Sequence, residues 1–158
     1  MRDRICLASC WLWSTLAVAA VSAPPAYAAP ADPFADCRKQ FAEKPQAYDS
    51  AYCFYTVTQQ QRLWDQGLQT FTTLMLQYPD NYFLPLAFGH VQRERDPAAA
   101  EASYRRAADG FRAARHAEGE ILARGSLRNF LYPKGRVDEA NAEMARVEEI
   151  AGDRKSVV

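Results

Sequence analysis

The stretch GLQTFTTLMLQYPDN, residues 67–81, decides the fold of this chain. Its residues Gly67, Phe71 and Leu74 are spaced by four and three positions, which places them on one face of a helix. A small residue on such a face lets a second helix approach closely, and the bulky residues fill the space beside it. Pro79 then ends the helix. The stretch therefore predicts the second helix of a helical hairpin.

The same spacing occurs twice more, first in Ala100, Tyr104 and Ala107, and then in Ala140, Met144 and Val147. Each preceding helix carries a matching residue 12 or 13 positions ahead of the small one: Phe54, Phe88–Gly89 and Leu127. Stacked helical pairs produce such a repeat, because each pair buries its apolar face against its neighbours. We therefore expect three consecutive hairpins, with an irregular helical bundle of the same apolar periodicity as the alternative.

Over about residues 48–151 the chain resembles the tetratricopeptide-repeat (TPR) family. The residues that carry the resemblance are the 67–81 stretch, LAFG at 86–89 and GRVDEA at 135–140. The chain departs from the family pattern at Arg128, where a glycine is usual, and at Arg112, where a proline is usual. The resemblance implies an all-α fold: a short α-solenoid of about three hairpins, preceded by a short helix in the N-terminal segment 29–47. It also implies a non-enzymatic scaffold that binds a protein or peptide in a concave groove.

The first helix of each hairpin lines that groove in the TPR family. The corresponding positions here are Tyr52, Thr56 and Gln59, then Phe83, Leu86, His90 and Arg93, then Leu122 and Asn129. By this resemblance Arg93 and Asn129 bind the carboxylate or backbone of a peptide. Tyr52 and Phe83 supply apolar anchors. The alternative for Phe83, Leu86 and Leu122 is a place in the hydrophobic core.

Residues 1–28 have the pattern of a signal peptide. Two arginines precede an apolar run at 12–21, and Ala26–Ala28 forms an A-x-A cleavage site. A lipobox ending at Cys10 is the alternative, but the apolar run follows that cysteine instead of preceding it. We expect an exported bacterial protein, periplasmic or extracellular, with no stable membrane anchor after cleavage.

Cleavage would remove two of the four cysteines and leave Cys37 and Cys53 in an oxidising compartment. Asp32-Pro33 is expected to open a helix that ends near Pro45, and a second helix should begin at Tyr48. The two cysteines are each eight residues from Pro45, so an antiparallel hairpin brings them level. This arrangement predicts a disulfide, with two unpaired buried thiols as the alternative.

Composition and histidine content argue against catalysis and nucleic-acid binding. The 158 residues include 19 basic and 19 acidic side chains, so no bulk positive charge attracts nucleic acid. With two histidines, the sequence offers few candidate residues for a catalytic triad or a multi-histidine metal site. His116, Glu118 and Glu120 diverge on a helix and are expected at a solvated helix start. We expect no enzyme activity, no metal and no cofactor.

Residues 152–158 are expected to be a tail after a last helix that stops near Ala151. The final six residues, DRKSVV, equal one translated frame of a common sequencing adaptor, which predicts an assembly artefact and a longer natural protein. The alternative function follows from that expectation. In it, the chain is the truncated regulatory repeat region of a longer enzyme, similar to secreted bacterial proteins that carry a caspase-like CHAT protease domain.

Overall fold

The structure, a computed structural model, describes residues 31–155; the expected signal peptide lies outside them. These residues form seven α-helices and contain no strand. The helices are α1 (Ala35–Glu43), α2 (Tyr48–Gln61), α3 (Trp64–Gln77), α4 (Phe83–Gln92), α5 (Pro97–Ala113), α6 (Ala117–Leu131) and α7 (Val137–Lys155), with a short 3-10 turn at Tyr132–Lys134. The all-α fold is therefore confirmed.

Short connections pair the helices in chain order. Arg62 and Gly135 have positive φ angles of 57° and 77° and reverse the chain after α2 and after the 3-10 turn. Each helix packs against the next, and α4 also packs against α2. Asp96 caps α5, because its side chain accepts a hydrogen bond of 3.0 Å from the amide of Ala99.

The small residues of the repeat lie at helix crossings. Ala100 and Ala140 are completely buried, and Gly67 is buried beside Thr58. A Cβ atom on Gly67 would collide with the Thr58 side chain, so this position requires glycine. The three small residues are therefore buried as expected, whereas Met144, the bulky residue of the third set, is 40% exposed and does not fill a helix crossing.

The Cys37–Cys53 disulfide is confirmed, with the two Cα atoms 5.6 Å apart. It links α1 to α2, and Phe34 and Phe41 of the N-terminal segment pack against Phe54 of α2. The predicted start of α1 is wrong by two residues. Asp32 accepts a hydrogen bond from the amide of Phe34, and this turn delays the first helical residue to Ala35.

The last helix also differs from the sequence expectation. It continues through Gly152 to Lys155, where the sequence predicted a stop near Ala151. Gly152 is exposed and meets no neighbouring side chain, so it weakens the helix without ending it. Within residues 31–155, no helix is both long and apolar enough to cross a bilayer.

Candidate binding groove on helices α2 and α4

Three tyrosines on α2 form a continuous aromatic strip, here called the tyrosine row: Tyr48, Tyr52 and Tyr55. Their spacing of four and three residues puts them on one face of the helix. The ring centroids of Tyr48 and Tyr52 lie 5.1 Å apart, and those of Tyr52 and Tyr55 lie 5.0 Å apart. All three side chains are partly exposed, and their hydroxyl groups make no hydrogen bond to any other described residue. The row thus offers both ring surface and free hydroxyls.

His90 of α4 lies against the tyrosine row. Its ring centroid is 5.7 Å from that of Tyr52 and 5.4 Å from that of Tyr55. Its Nδ1 atom is 3.0 Å from the hydroxyl of Tyr104 on α5. Its Nε2 atom is buried and has no hydrogen-bond partner within residues 31–155. The imidazole is therefore a fixed support for the row, and its free nitrogen does not reach solvent.

Burial lowers the pKa of His90 to about 4, and the positive charge of Arg93 acts in the same direction. The imidazole is therefore neutral near pH 7. The phenol is a good donor and the neutral imidazole nitrogen a good acceptor, so we assign the hydrogen bond as donated by Tyr104 to Nδ1. This assignment places the imidazole proton on Nε2.

Gly89 allows this arrangement, because a Cβ atom there would lie 2.6 Å from the Tyr104 ring. Tyr104 is one of the largest fully buried side chains, so it has little room to move away. The close packing of α4 on α5 at Gly89 therefore also determines where the Tyr104 hydroxyl meets His90.

Arg93 lies at the end of α4 and is about two-fifths exposed. It pairs loosely with the neighbouring Glu94, at 3.5 Å. Burial, Tyr52 and the Glu94 carboxylate raise the pKa of Tyr55, whereas the Arg93 charge lowers it, so both members of this ion pair act on the row. Arg93 also lines a cavity of about 210 Å³ together with Phe130 of α6 and with Pro133 and Lys134 of the 3-10 turn that follows it.

Apart from Arg93, the predicted groove residues fall into three groups. Tyr52 and His90 are in contact, and Thr56 and Gln59 lie on the same helix as Tyr52. The Thr56 hydroxyl donates a hydrogen bond of 3.2 Å to the Tyr52 carbonyl. Asn129 and Leu122 are exposed on α6, where the Asn129 side chain accepts a hydrogen bond of 2.9 Å from Arg128.

Phe83 and Leu86 form the third group and belong to the core, with only 5% and 0% of their surfaces exposed. The Phe83 ring packs 4.7 Å from that of Phe111, so the prediction of Phe83 as a surface anchor is wrong. The beginning of α4 faces α5, and this packing takes Phe83 out of the groove.

Sequence reasoning missed Tyr48 and Tyr55, although the signal was present. Both lie within one helical heptad that includes Tyr52, and a search for aromatic residues at that spacing would have found them. Tyr104 was identified only as a packing residue. Its hydrogen bond to His90 depends on how α4 and α5 pack, which the spacing of residues along one helix does not reveal.

A second polar cluster joins α5, α6 and α7. Arg124 forms ion pairs with Glu120 at 2.8 Å and with Glu143 at 2.7 Å, and all three side chains are less than 15% exposed. Arg105 of α5 extends the cluster to Glu143, at 3.8 Å. The prediction of a solvated start for α6 is wrong at Glu120, because that carboxylate is buried against Arg124.

His116 has a structural part at the same place. Its Nδ1 accepts a hydrogen bond of 2.9 Å from the amide of Gly119 and caps α6. Among residues 31–155, no group of three His, Cys, Asp or Glu side chains is placed to hold a metal ion.

In comparisons with known proteins, the chain matches no family model, no curated protein and no solved structure. The function is therefore inferred from the geometry of the tyrosine row and its neighbours.

Proposed function

We propose that this protein is an exported, non-enzymatic scaffold that binds a peptide segment of another protein across α2 and α4. In this proposal the three hairpins stack as a short TPR-like α-solenoid, and the bound segment extends toward Asn129 on α6. The observation that carries the proposal is the tyrosine row beside Arg93. It places aromatic surface, free hydroxyls and a cation on two helices that pack together.

Aromatic residues and arginine are the side chains that contribute most to protein recognition. Tyrosine is particularly suited, because it offers a large surface, few rotatable bonds and a polar end. The contacts of Tyr52 and Tyr55 with His90 restrict their rings before any ligand binds. Such restriction reduces the entropy lost on binding.

The environment of His90 supports a binding function over catalysis. A general base must reach the proton that it removes, directly or through one water molecule. In His90 one ring nitrogen is bonded to Tyr104 and the other is covered. The only described histidine in the groove is therefore used to hold the tyrosine row.

The Cys37–Cys53 disulfide supports the proposed export, because such bonds persist mainly in oxidising compartments. Export remains part of the proposal, since residues 1–28 lie outside the described part of the chain.

An array of random dodecapeptides tests the proposed function. The wild-type protein should bind a subset of peptides, and the double variant Arg93→Ala/Asn129→Ala should lose that binding. Both substituted side chains are exposed, so thermal stability should change by less than about 0.5 kcal/mol. Equal binding by the wild type and the double variant would show that any peptide site lies on another face.

A further inference from the structure

We infer that the outward face of α7 at Met144 binds a helix of a partner protein, and that this helix carries an aromatic residue and a basic residue seven positions later. The surface lies on α7, apart from the candidate groove on α2 and α4, so the inference goes beyond the proposed function. It follows from contacts that the chain makes three times elsewhere and lacks at α7.

Three contacts of one kind join successive helices, α1 to α2, α3 to α4 and α5 to α6. In each, an aromatic side chain of the earlier helix packs against a phenylalanine of the later one. The ring centroids lie 5.9, 5.5 and 5.7 Å apart in the pairs Phe41–Phe54, Phe71–Phe88 and Tyr104–Phe130. The earlier member of each pair is no more than 3% exposed. The ring of the following helix therefore helps to bury this position in all three cases.

Met144 of α7 occupies the same position but has no covering ring. It follows the small Ala140 by four residues, as Phe71 follows Gly67. Its surface is 40% exposed, and Val137, seven residues earlier on the same face, is 42% exposed. α7 packs against α6 and the 3-10 turn, and none of the described helices covers this face. Because a methionine sulfur packs favourably on an aromatic ring, the uncovered position suits another aromatic residue.

The contact of α3 with α4 shows which charge accompanies the ring. Asp65 precedes Phe71 by six residues on α3 and forms an ion pair of 2.8 Å with Arg95. Arg95 in turn follows Phe88 by seven residues. These separations correspond to about 9 Å and about 10.5 Å along the two helix axes. The ring contact and the ion pair therefore form together when the two segments run antiparallel.

α7 carries the acidic half of the same arrangement. Asp138 precedes Met144 by six residues, and Glu148 follows it by four. Both carboxylates are exposed, and neither has an ion-pair partner within residues 31–155. A partner helix that runs antiparallel to α7 with its aromatic residue on Met144 would bring a basic residue seven positions later to Asp138. Such charge complementarity favours a basic partner and sets its direction.

A second copy of the chain is a poor source of this helix. The phenylalanines that make the three existing contacts already pack within their own chain. Pairing two α7 helices face to face would also bring together the exposed carboxylates of both copies, Asp138 and Glu148, and like charges oppose such a contact. The occupant that fits is therefore a helix of another protein.

Methyl NMR tests the inference, since Met75 and Met144 are the methionines within residues 31–155. The protein is isotope-labelled at its methionine methyl groups and titrated with a helical peptide rich in alanine and glutamine. The peptide carries one phenylalanine, leucines four residues before and three residues after it, and an arginine seven residues after it. Ring currents should shift the Met144 signal upfield and leave the signal of Met75, on α3, unchanged.

Two altered peptides separate the ring from the charge. Replacing the phenylalanine by alanine should weaken binding at least about tenfold and abolish the upfield shift, because an aromatic anchor is lost. Replacing the arginine by glutamate should weaken binding about threefold, as expected for a single exposed ion pair.

A charge swap locates the contact on α7. Asp138→Lys should reverse the preference, so that the glutamate peptide binds more tightly than the arginine peptide. Asp109→Lys is the matched control, because it makes the same charge change at an exposed position on α5 and should keep the wild-type preference. Met144→Glu should weaken binding of the arginine peptide at least about tenfold. Each variant changes an exposed side chain, and circular dichroism checks its fold.

Three results would overturn the inference. The first is equal shifts of Met75 and Met144, or no saturable shift of Met144. The second is an unchanged peptide preference in Asp138→Lys. The third is a Met144 shift that grows with protein concentration in the absence of peptide, together with dimers in sedimentation, because a second copy would then cover the face.

Discussion

The hydroxyl of Tyr104 lies 3.0 Å from Nδ1 of His90, so a residue of α5 fixes the imidazole on which the tyrosine row of α2 packs. Three helices thus meet at one hydrogen bond. Because Tyr104 belongs to the repeated small-large-small pattern, the packing of the second hairpin and the shape of the candidate groove depend on the same side chain. Substitutions that disturb Tyr104 should affect both stability and binding.

Gly89→Ala tests this coupling. The added methyl would lie 2.6 Å from the Tyr104 ring, and overpacking of this kind costs about 1–3 kcal/mol. We expect that loss in urea unfolding, together with weaker peptide binding. Gly125→Ala is the control, because no neighbouring atom lies within 4 Å of its new Cβ atom and the change favours a helix. Equal stability of both variants would contradict the coupling.

The pKa of His90 predicts a pH dependence of folding. The unfolded chain takes up a proton near pH 6.5, whereas the folded chain does so only at about 4. Between these values the unfolded state binds more protons, so stability falls as the pH decreases. The protein should lose about 2 kcal/mol between pH 7.5 and pH 5, measured by urea unfolding.

His90→Gln provides the control, because glutamine can accept the Tyr104 hydrogen bond but does not titrate. The loss between pH 7.5 and pH 5 should be clearly smaller in this variant. A loss as large as in the wild type would show that other groups titrate in this range.

Local sequence signals predicted the all-α fold and several of its helix contacts, for a physical reason. Small and bulky residues at four-three spacing determine how closely two helices approach, and this information lies within a single helix, as at Gly67 and Phe71. Likewise, the disulfide followed from the turn at Pro45. In both cases the interacting groups are close in sequence or placed by one turn.

The parts that sequence did not predict depend on packing between elements. Glu120 resembles a solvated helix residue, but Arg124 and α7 cover it. Phe83 occupies a groove position by its register, yet the approach of α5 buries it. The Nε2 atom of His90 has no hydrogen-bond partner within residues 31–155, and the Tyr55 ring of α2 lies against the imidazole. Such a contact between two helices cannot be predicted from the residue spacing within either helix.

The buried ion pair between Arg124 of α6 and Glu143 of α7 is expected to hold α7 against α6. Glu143→Gln removes a charge that Arg124 contacts at 2.7 Å in a poorly exposed setting, and it should cost about 2 kcal/mol. Glu149→Gln, on the exposed side of α7, should cost less than about 0.5 kcal/mol. Amide exchange would show faster exchange in α7 for the first variant only. Unchanged exchange in Glu143→Gln would mean that apolar packing alone holds α7.

The disulfide should stabilise the N-terminal segment. Replacing Cys37 and Cys53 by serine is expected to lower the free energy of unfolding by about 3 kcal/mol, as for a loop of this size. Mass spectrometry of the denatured, non-reduced protein should find neither cysteine alkylated. Full alkylation of both would contradict the bond.

Site-specific photo-crosslinking tests the central claim most directly. Benzoylphenylalanine would replace either Gln59, an exposed residue on the same helix as the tyrosine row, or Thr72, an exposed residue on α3. Each protein is expressed as the full 158-residue chain and irradiated in the cell fraction that contains it. The account predicts discrete adducts from position 59 that disappear when Tyr52→Ala is added, and none from position 72. Adducts from position 72 alone, or adducts at position 59 that are insensitive to Tyr52→Ala, would contradict binding at the tyrosine row.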